Sequence, residues 1–375
     1  MIYRVVAAYL CEQEYSVPNL LKVSFSLLVL VVSSACANNS SAVFTSGNIP
    51  SLQLSGDILT SNQALEQTTP IPILTLTPQL TDYFDQYIYG GIDKKQRARL
   101  LRNLLLSPAF LDIEYERSDN FTASEVFDVR SANCISFSNL YIALARHYGI
   151  DADYQLIEKY PEWARDGRLV FMDIHVNASV PLGGGEKYQV DISQPEVTDQ
   201  SQQKGNPKLI SDDVAAALFY SNLAVRAFAQ GDIVEAYQKI VWSLYKAPDQ
   251  SMFWSNLGPI FRANNQLNEA ERVYLIALQL DPKSYSASNN LAVLYRDMQR
   301  MDKYQYYLAK TLALRQKNPY FYFHLAHAAK QEGDYLQAIK YLRRAIELKD
   351  DAREFYELLD VLSTQIERLA VNDVN

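Results

Sequence analysis

Three side chains of the sequence have the right types for nucleophilic chemistry: Cys134, His175 and Asp191. A thiol attacks as its thiolate, an imidazole takes up and returns the proton, and a carboxylate orients the imidazole. The chain has three cysteines, and the other two, Cys11 and Cys36, lie in a predicted leader. The folded protein therefore has one thiol, which excludes a disulfide framework and a cysteine metal site.

The segment around Cys134 predicts a helix that begins close to the thiol. Residues 122–125 have the pattern of a capping box that opens a short preceding helix. Apolar residues at helical spacing follow Cys134 as far as Gly149, and Ser131 or Asn133 can cap the helix. Cys134 then lies in the first turn, where free N–H groups and the helix dipole lower a thiol pKa.

Three strand-like runs follow this helix, over residues 153–159, 169–178 and 187–193. Alternation in the second run predicts that Phe171, Asp173, His175 and Asn177 share one face. Asp191 lies on the third run. A thiol at a helix start, an imidazole on one strand and a carboxylate on another can assemble a nucleophile, a base and an orienting group.

Residues 97–195 resemble the transglutaminase-like superfamily, which has a papain-type cysteine fold. The resemblance rests on NCISFSNLYIALARHYGIDADYQ, which begins at Asn133, on MDIHVNA around His175 and on YQVDIS around Asp191. His175 stands 41 positions after Cys134, and Asp191 stands 16 positions after His175. It implies an α+β domain in which Cys134 is the nucleophile, His175 the general base and acid, and Asp191 the orienter. The implied chemistry is acyl transfer through a thioester on Cys134.

Several assignments around this site stay open from sequence alone. Asp173 or Asn177 is the next choice if Asp191 does not orient His175, and each triad member read singly fits a structural role. Asn133 stands before the cysteine, where the family often has glycine. Tyr160 and Trp163 fall in an expected loop. Lining a substrate cleft and packing against the core are the two alternatives for their side chains. The backbone N–H of Cys134 is the natural oxyanion donor.

The C-terminal part of the chain repeats with a period of 34 residues and resembles tetratricopeptide repeats. Four copies are expected, over residues 217–250, 251–284, 285–318 and 319–352. A capping helix and tail follow over 353–375. Tyr304 replaces the usual alanine in the third copy, which is the most divergent. Such repeats present a concave surface from their first helices, and the expected inward-pointing residues are Asn289, Arg296, Phe323, His327 and Lys330, which could equally be plain solvated positions. The surface is suited to a peptide or protein partner.

The N-terminus has the pattern of an export signal. Residues 23–37 form an uncharged stretch of fifteen after Lys22, shorter than the roughly 20 residues that a membrane-spanning helix needs. Residues 32–36 resemble a bacterial lipoprotein box, in which Cys36 carries the lipid; plain export and an uncleaved anchor are the alternatives. Val17 is an alternative first residue of the translated protein. Residues 1–36 are thus a predicted signal peptide, and 37–78, rich in Ser, Thr, Asn, Gln and Pro, a flexible tether.

Composition narrows the function classes. Lys plus Arg is 35 against 43 Asp plus Glu, a net charge of −8, which argues against nucleic-acid binding. The expected architecture is an α+β transglutaminase-like domain over 79–200, a linker over 201–216 and an all-α repeat solenoid. No cofactor or metal is predicted, because His324 and His327 lack a third ligand. The interpretation is a lipid-anchored cysteine acyl-transfer enzyme in the bacterial envelope, facing the periplasm at the outer membrane. A non-catalytic envelope scaffold is the alternative.

Overall fold

The computed structural model describes residues 2–8, 49–166, 169–193 and 206–372. The chain divides into two compact units, one with the described residues up to Thr311 and one with those from Leu312 onward. Most of the predicted leader, including Cys36, lies outside the described residues.

The N-terminal part of the first unit is a mixture of strands and helices. Its elements in chain order are β1 (Ile2–Ala8), β2 (Leu52–Leu54), β3 (Asp57–Leu59), α1 (Ser61–Glu66), α2 (Pro78–Asp85), α3 (Lys94–Leu106), β4 (Glu114–Tyr115), α4 (Ala123–Val129), β5 (Ser131–Ala132), α5 (Cys134–His147), β6 (Asp153–Asp166), β7 (Leu169–Gly183), β8 (Glu186–Val190) and β9 (Asn206–Ile210).

Five of these strands form one antiparallel sheet, in the order β1-β7-β6-β9, with β8 also paired to β7. Because β6 occupies one edge of β7, both β1 and β8 lie along the other edge. β8 covers β7 from Ala178 to Gly183, and β1 covers it from Leu169 to Ile174. His175 therefore lies in the short gap between the two strands.

Local signals account for the helices that flank this sheet. Thr122 and Glu125 form the predicted capping box of α4, and Asn133 is the N-cap of α5. Arg130 takes the left-handed conformation with φ of 57° at the end of α4, which turns the chain into β5 and then α5. The predicted helix start at Cys134 is confirmed, and α5 packs against β7.

Two expectations about this part of the chain were wrong. Tyr160 and Trp163 lie within β6 and not in a loop, because β6 continues to Asp166 with a register shift between Ile157 and Glu162. The expected linker 201–216 contains β9, which pairs with β6, and the start of the next helix.

The described part of the expected tether, residues 49–78, is also ordered. Leu52 and Leu59 are buried, and backbone groups of residues 50–53 bond to distant side chains of the repeat region. The Tyr237 hydroxyl donates to the Pro50 carbonyl at 2.7 Å, and Gln266 Nε2 donates to the Ser51 carbonyl at 3.0 Å. Residues 49–78 are therefore not a flexible segment, because the repeats supply the partners that their composition lacks.

Helices form the remainder of the first unit and the whole described part of the second. They are α6 (Asp212–Ala229), α7 (Ile233–Lys246), α8 (Ser251–Ala263), α9 (Leu267–Leu280), α10 (Tyr285–Asp297), α11 (Met301–Arg315), α12 (Pro319–Gln331), α13 (Tyr335–Leu348) and α14 (Arg353–Asn372). The paired helices match the predicted repeats, and α6 starts five residues before the predicted copy.

Packing within the repeats follows residue size. In the first unit, Gly258 lets α8 approach the fully buried Tyr274 of α9. Of the residues of α11, all of them described, Thr311 alone is buried, in keeping with the divergence predicted for this copy. In the second unit, Tyr320 and Phe323 of α12 pack against Phe355 of α14. No helix in the described residues is long and apolar enough to span a membrane.

Candidate active site

Cys134 is the first residue of α5 and is fully buried. The Asn133 side chain caps the helix by accepting a hydrogen bond from the Ser136 N–H at 3.0 Å. The first N–H groups of a helix have no partner inside the helix, and together with the dipole they favour negative charge at this end. The thiol is therefore held where a thiolate is stabilised.

His175 and Asp191 are brought together by the pairing of β7 and β8. Ala178 lies opposite Val190 in that ladder, so the residue after β8 falls beside the gap that contains His175. The distance between His175 Nε2 and Asp191 Oδ2 is 2.5 Å. The other carboxylate oxygen of Asp191 accepts from the N–H and hydroxyl of Ser193 at 2.9 and 2.8 Å.

The Cys134 thiol lies within hydrogen-bonding reach of His175, and the charges of the two groups interact. Since Nε2 faces Asp191, Nδ1 is the ring nitrogen left for the thiol. The three sequence-predicted side chains therefore form one hydrogen-bonded line. Asn177, the alternative orienter, does not take the place of Asp191.

Electrostatics in this line favour an ion pair of thiolate and imidazolium. Burial raises the pKa of Cys134, but the positive charge of the chain's amino terminus and the hydrogen bond and charge of His175 lower it to about 6. Burial lowers the pKa of His175, and hydrogen bonds to Asp191 and Cys134 raise it to about 9. Burial raises the pKa of Asp191, while His175 and Ser193 lower it below its usual value.

The residues predicted to support the cleft have structural contacts. Asn133 is fully buried, and besides capping α5 its Nδ2 donates to Asn120 Oδ1 at 3.2 Å. Trp163 is 6% exposed and packs edge-on against Tyr285 with ring centroids 5.7 Å apart. Tyr160 belongs to the irregular part of β6, and its side chain lies outside what the structure describes.

The predicted partner-groove residues are divided between the two units. In the first, Asn289 is 4% exposed, and Arg296 forms an ion pair with Asp297 at 3.2 Å. In the second, Phe323 is 3% exposed and contacts His327, with ring centroids 4.7 Å apart, while Lys330 is half-buried in the last turn of α12. Asn289 and Phe323 are therefore interior positions.

A polar link between the site and the first repeat was not anticipated from the sequence. Asn120 Oδ1 accepts from both Asn133 and Asn222, each at 3.2 Å, and its Nδ2 donates to the Phe219 carbonyl. A pocket of about 320 Å³ opens beside this link, between Phe171 of β7 and Arg226 of α6. The sequence did contain a pattern that indicates a polar position here, because Asn222, Asn256 and Asn290 occupy the same position in three successive repeats.

No constellation for a metal ion is found among the described residues, in the sense of three or more His, Cys, Asp or Glu side chains grouped together. The chemistry that this site can perform with its own groups is proton transfer between Cys134 and His175 and attack by the thiolate.

The family model of the tetratricopeptide repeat matches residues 219–363, so the C-terminal region carries these repeats, as predicted. No curated protein matches the chain. Similar solved structures include MamA 41-end from Desulfovibrio magneticus RS-1, with 16% identity, a TM-score of 0.27 and coverage of 42% of this chain and 87% of that chain. APC/C hetero-tetramer Cut9-Hcn1 has 18% identity, a TM-score of 0.29 and coverage of 40% and 31%. The repeat assignment rests on the family model and the helix pairs.

Proposed function

We propose that this protein is a cysteine acyl-transfer enzyme, a peptidase or amidase in preference to a cross-linking enzyme, with a transglutaminase-like site and repeats that recruit a protein substrate. The observation that carries the proposal is the hydrogen-bonded line of Cys134, His175 and Asp191. A histidine that only fills a core needs no buried thiol on one ring nitrogen and a buried carboxylate on the other. Perturbed pKa values of this kind cluster at functional sites.

In the proposed reaction each of the three side chains has one role. The Cys134 thiolate attacks the substrate carbonyl, and the N–H groups at the start of α5 stabilise the oxyanion. His175 gives the proton from Nδ1 to the leaving amine, while Asp191 fixes the tautomer and orientation of the ring. Water then attacks the thioester with His175 as base, and Cys134 is regenerated.

Contacts between the first repeat helix and the elements of the site support the proposal that the repeats hold a protein near it. α6, the first repeat helix, is bonded to α5 through Arg146, whose guanidinium contacts both carboxylate oxygens of Asp212 at 2.6 and 2.9 Å. It also bonds to the loop before α4 through Asn120 and Asn222. Tetratricopeptide repeats generally bind protein segments. An exported, lipid-anchored location for this enzyme remains part of the proposal.

A non-catalytic scaffold is the second candidate, and full burial of Cys134 favours it. In that case the domain keeps the triad as a packing motif, and the repeats alone carry the function by binding an envelope protein.

The test is the rate at which iodoacetamide alkylates Cys134 in the full-length chain, followed by peptide mass spectrometry so that Cys11 and Cys36 are read separately. An active site predicts rapid alkylation well below pH 8 that is lost in His175→Ala. His147→Ala is the matched control, because His147 ends α5 and packs edge-on against Tyr148, with ring centroids 4.8 Å apart. Alkylation at the rate of an ordinary thiol, unchanged in His175→Ala, would leave the scaffold as the function.

A further inference from the structure

The edge of β7 next to His175 is occupied by a strand from the start of the chain. β1 runs antiparallel to β7, with Ile2 opposite Ile174 and Val5 opposite Phe171. β8 covers the same edge from Ala178 onward. The N-terminal end of β1 thus meets the reacting groups, while the rest of the strand runs away from them.

The opposite side of β1 faces the repeats of the same unit. β1 lies against α6, α8 and α10, the first helices of three successive repeats. Each of these helices carries a buried asparagine at the same repeat position: Asn222, Asn256 and Asn290. An amide side chain has both a donor and an acceptor, as a peptide backbone does. The space between β7 and these helices is here called the β7 trough. Asn222 Nδ2 donates to Asn120 Oδ1 and Asn256 Nδ2 donates to Ser221 Oγ, so each helix beside the trough carries one buried polar side chain at the same repeat position.

Residues 2–8 belong to the segment that the sequence predicts to be a removable leader. Without them, β7 from Leu169 to Ile174 presents unpaired backbone N–H and C=O groups to the trough. Such an edge pairs readily with another extended chain. The trough already has the spacing of a strand, because β1 fits it.

We propose that the β7 trough binds an extended segment of the polypeptide substrate as an added strand antiparallel to β7, with the amino-terminal end of that segment at Cys134 and His175. The proposal rests on the proposed function and adds to it the direction in which the substrate chain runs through the site. The docked segment lies on the carboxyl side of the attacked bond and supplies the leaving amine.

The chemistry balances without a co-reactant other than water. Cys134 Sγ bonds to the carbonyl carbon before the docked segment, the C–N bond breaks, and His175 transfers its proton to the nitrogen. The docked segment leaves with a new amino terminus, and water hydrolyses the thioester.

The test uses directional affinity labels of the sequence IYRVVAA, copied from β1. One peptide carries a bromoacetyl group on its amino end; its matched control carries it on an added carboxyl-terminal lysine. Alkylation forms a carbon–sulfur bond at Cys134 and releases bromide. Two full-length variants, Tyr3→Pro and Arg4→Pro, each remove one backbone N–H of β1. Neighbouring residues of a strand point their N–H groups to opposite sides. One variant therefore loses a hydrogen bond to β7 and releases β1 from the trough, while the other keeps β1 in place.

We expect the amino-end label to alkylate Cys134 at least about tenfold faster than the carboxyl-end label, since docking raises the local concentration of the reagent. The ratio of the two alkylation rates should be larger in the proline variant that releases β1 than in the other variant or in the wild type. Equal rates for the two labels in all three chains overturn the docking proposal. Iodoacetamide on the same samples reports separately on the proposed function, so an activated Cys134 without end preference rejects docking alone. End preference at an unactivated thiol supports docking and rejects catalysis.

Discussion

At the scale of single residues, the site is a balance between burial and paired charge. Burial alone would keep Cys134 as a neutral thiol and His175 as a neutral imidazole. Asp191 reverses this for the ring, because its carboxylate lies 2.5 Å from Nε2, and the charged ring in turn stabilises the thiolate. Since each group depends on its neighbour, the loss of one should be visible in the titration of the next.

The reactivity of Cys134 should follow the ionisation of this pair. Its pKa is about 6 and that of His175 about 9, so raising the pH through the lower value creates the thiolate while the ring keeps its proton. We expect the alkylation rate to rise with a midpoint near pH 6, and the capacity to protonate a leaving amine to fall above pH 9. Stopped-flow alkylation across this range checks it, and a single midpoint near pH 8.5 would contradict it.

Asp191→Asn should change the ring more than the thiol. Because the carboxylate is what raises the His175 pKa against burial, its removal should move the upper midpoint below 9, which NMR titration of the imidazole measures. His175→Ala should instead raise the Cys134 midpoint. Asp173→Asn is the control, since Asp173 is the competing orienter on the same strand. A larger effect of Asp173→Asn than of Asp191→Asn would reassign the third member of the triad.

At the scale of elements, the sequence predicted the features that depend on local patterns and missed those that depend on distant contacts. The start of α5 was predictable, because a cap residue and apolar spacing act within a few residues. The order of residues 49–78 was not, since it depends on partners such as Gln266, which accepts from the Gln53 N–H across 213 positions. The same applies to the register shift in β6 and to β9. The proximity of Cys134, His175 and Asp191 was predictable only because their residue types are distinctive.

Gly258→Ala tests the packing of the second repeat. An added Cβ would overlap the Tyr274 ring. Tyr274 is 1% exposed, so its ring can move only by displacing other packed atoms. Overpacking of this kind costs about 1–3 kcal/mol of unfolding free energy, and Gly258→Leu should cost more. Chemical denaturation of the full chain measures it. Combining Gly258→Ala with Tyr274→Leu should recover part of the loss, as coupled neighbours do; additive losses would contradict the contact.

At the scale of the whole molecule, the predicted leader bears on both proposals. Residues 2–8 pair with the edge of β7 beside His175, and the sequence predicts that export removes them together with residues up to 35. If it does, the mature protein gains an open strand edge beside His175. Processing would then convert an occupied trough into an available one, and the site of cleavage becomes a determinant of activity.

Lipid attachment at Cys36, which we propose, would fix that cleavage site. Lipoprotein processing leaves the modified cysteine as the first residue, and one or more acyl chains bind a membrane because each buried CH₂ contributes about 0.8 kcal/mol. We expect intact-mass and peptide mass spectrometry of the protein from a bacterial envelope to find an acylated amino-terminal Cys36. Cys36→Ser should lose both the acyl mass and the partition into detergent, whereas Cys11→Ser, in the removed part of the leader, should change neither. An unmodified protein beginning at Asn38 would show ordinary export instead. A chain that still begins at residue 1 would mean that β1 is a permanent strand of the sheet, and that any substrate must displace it.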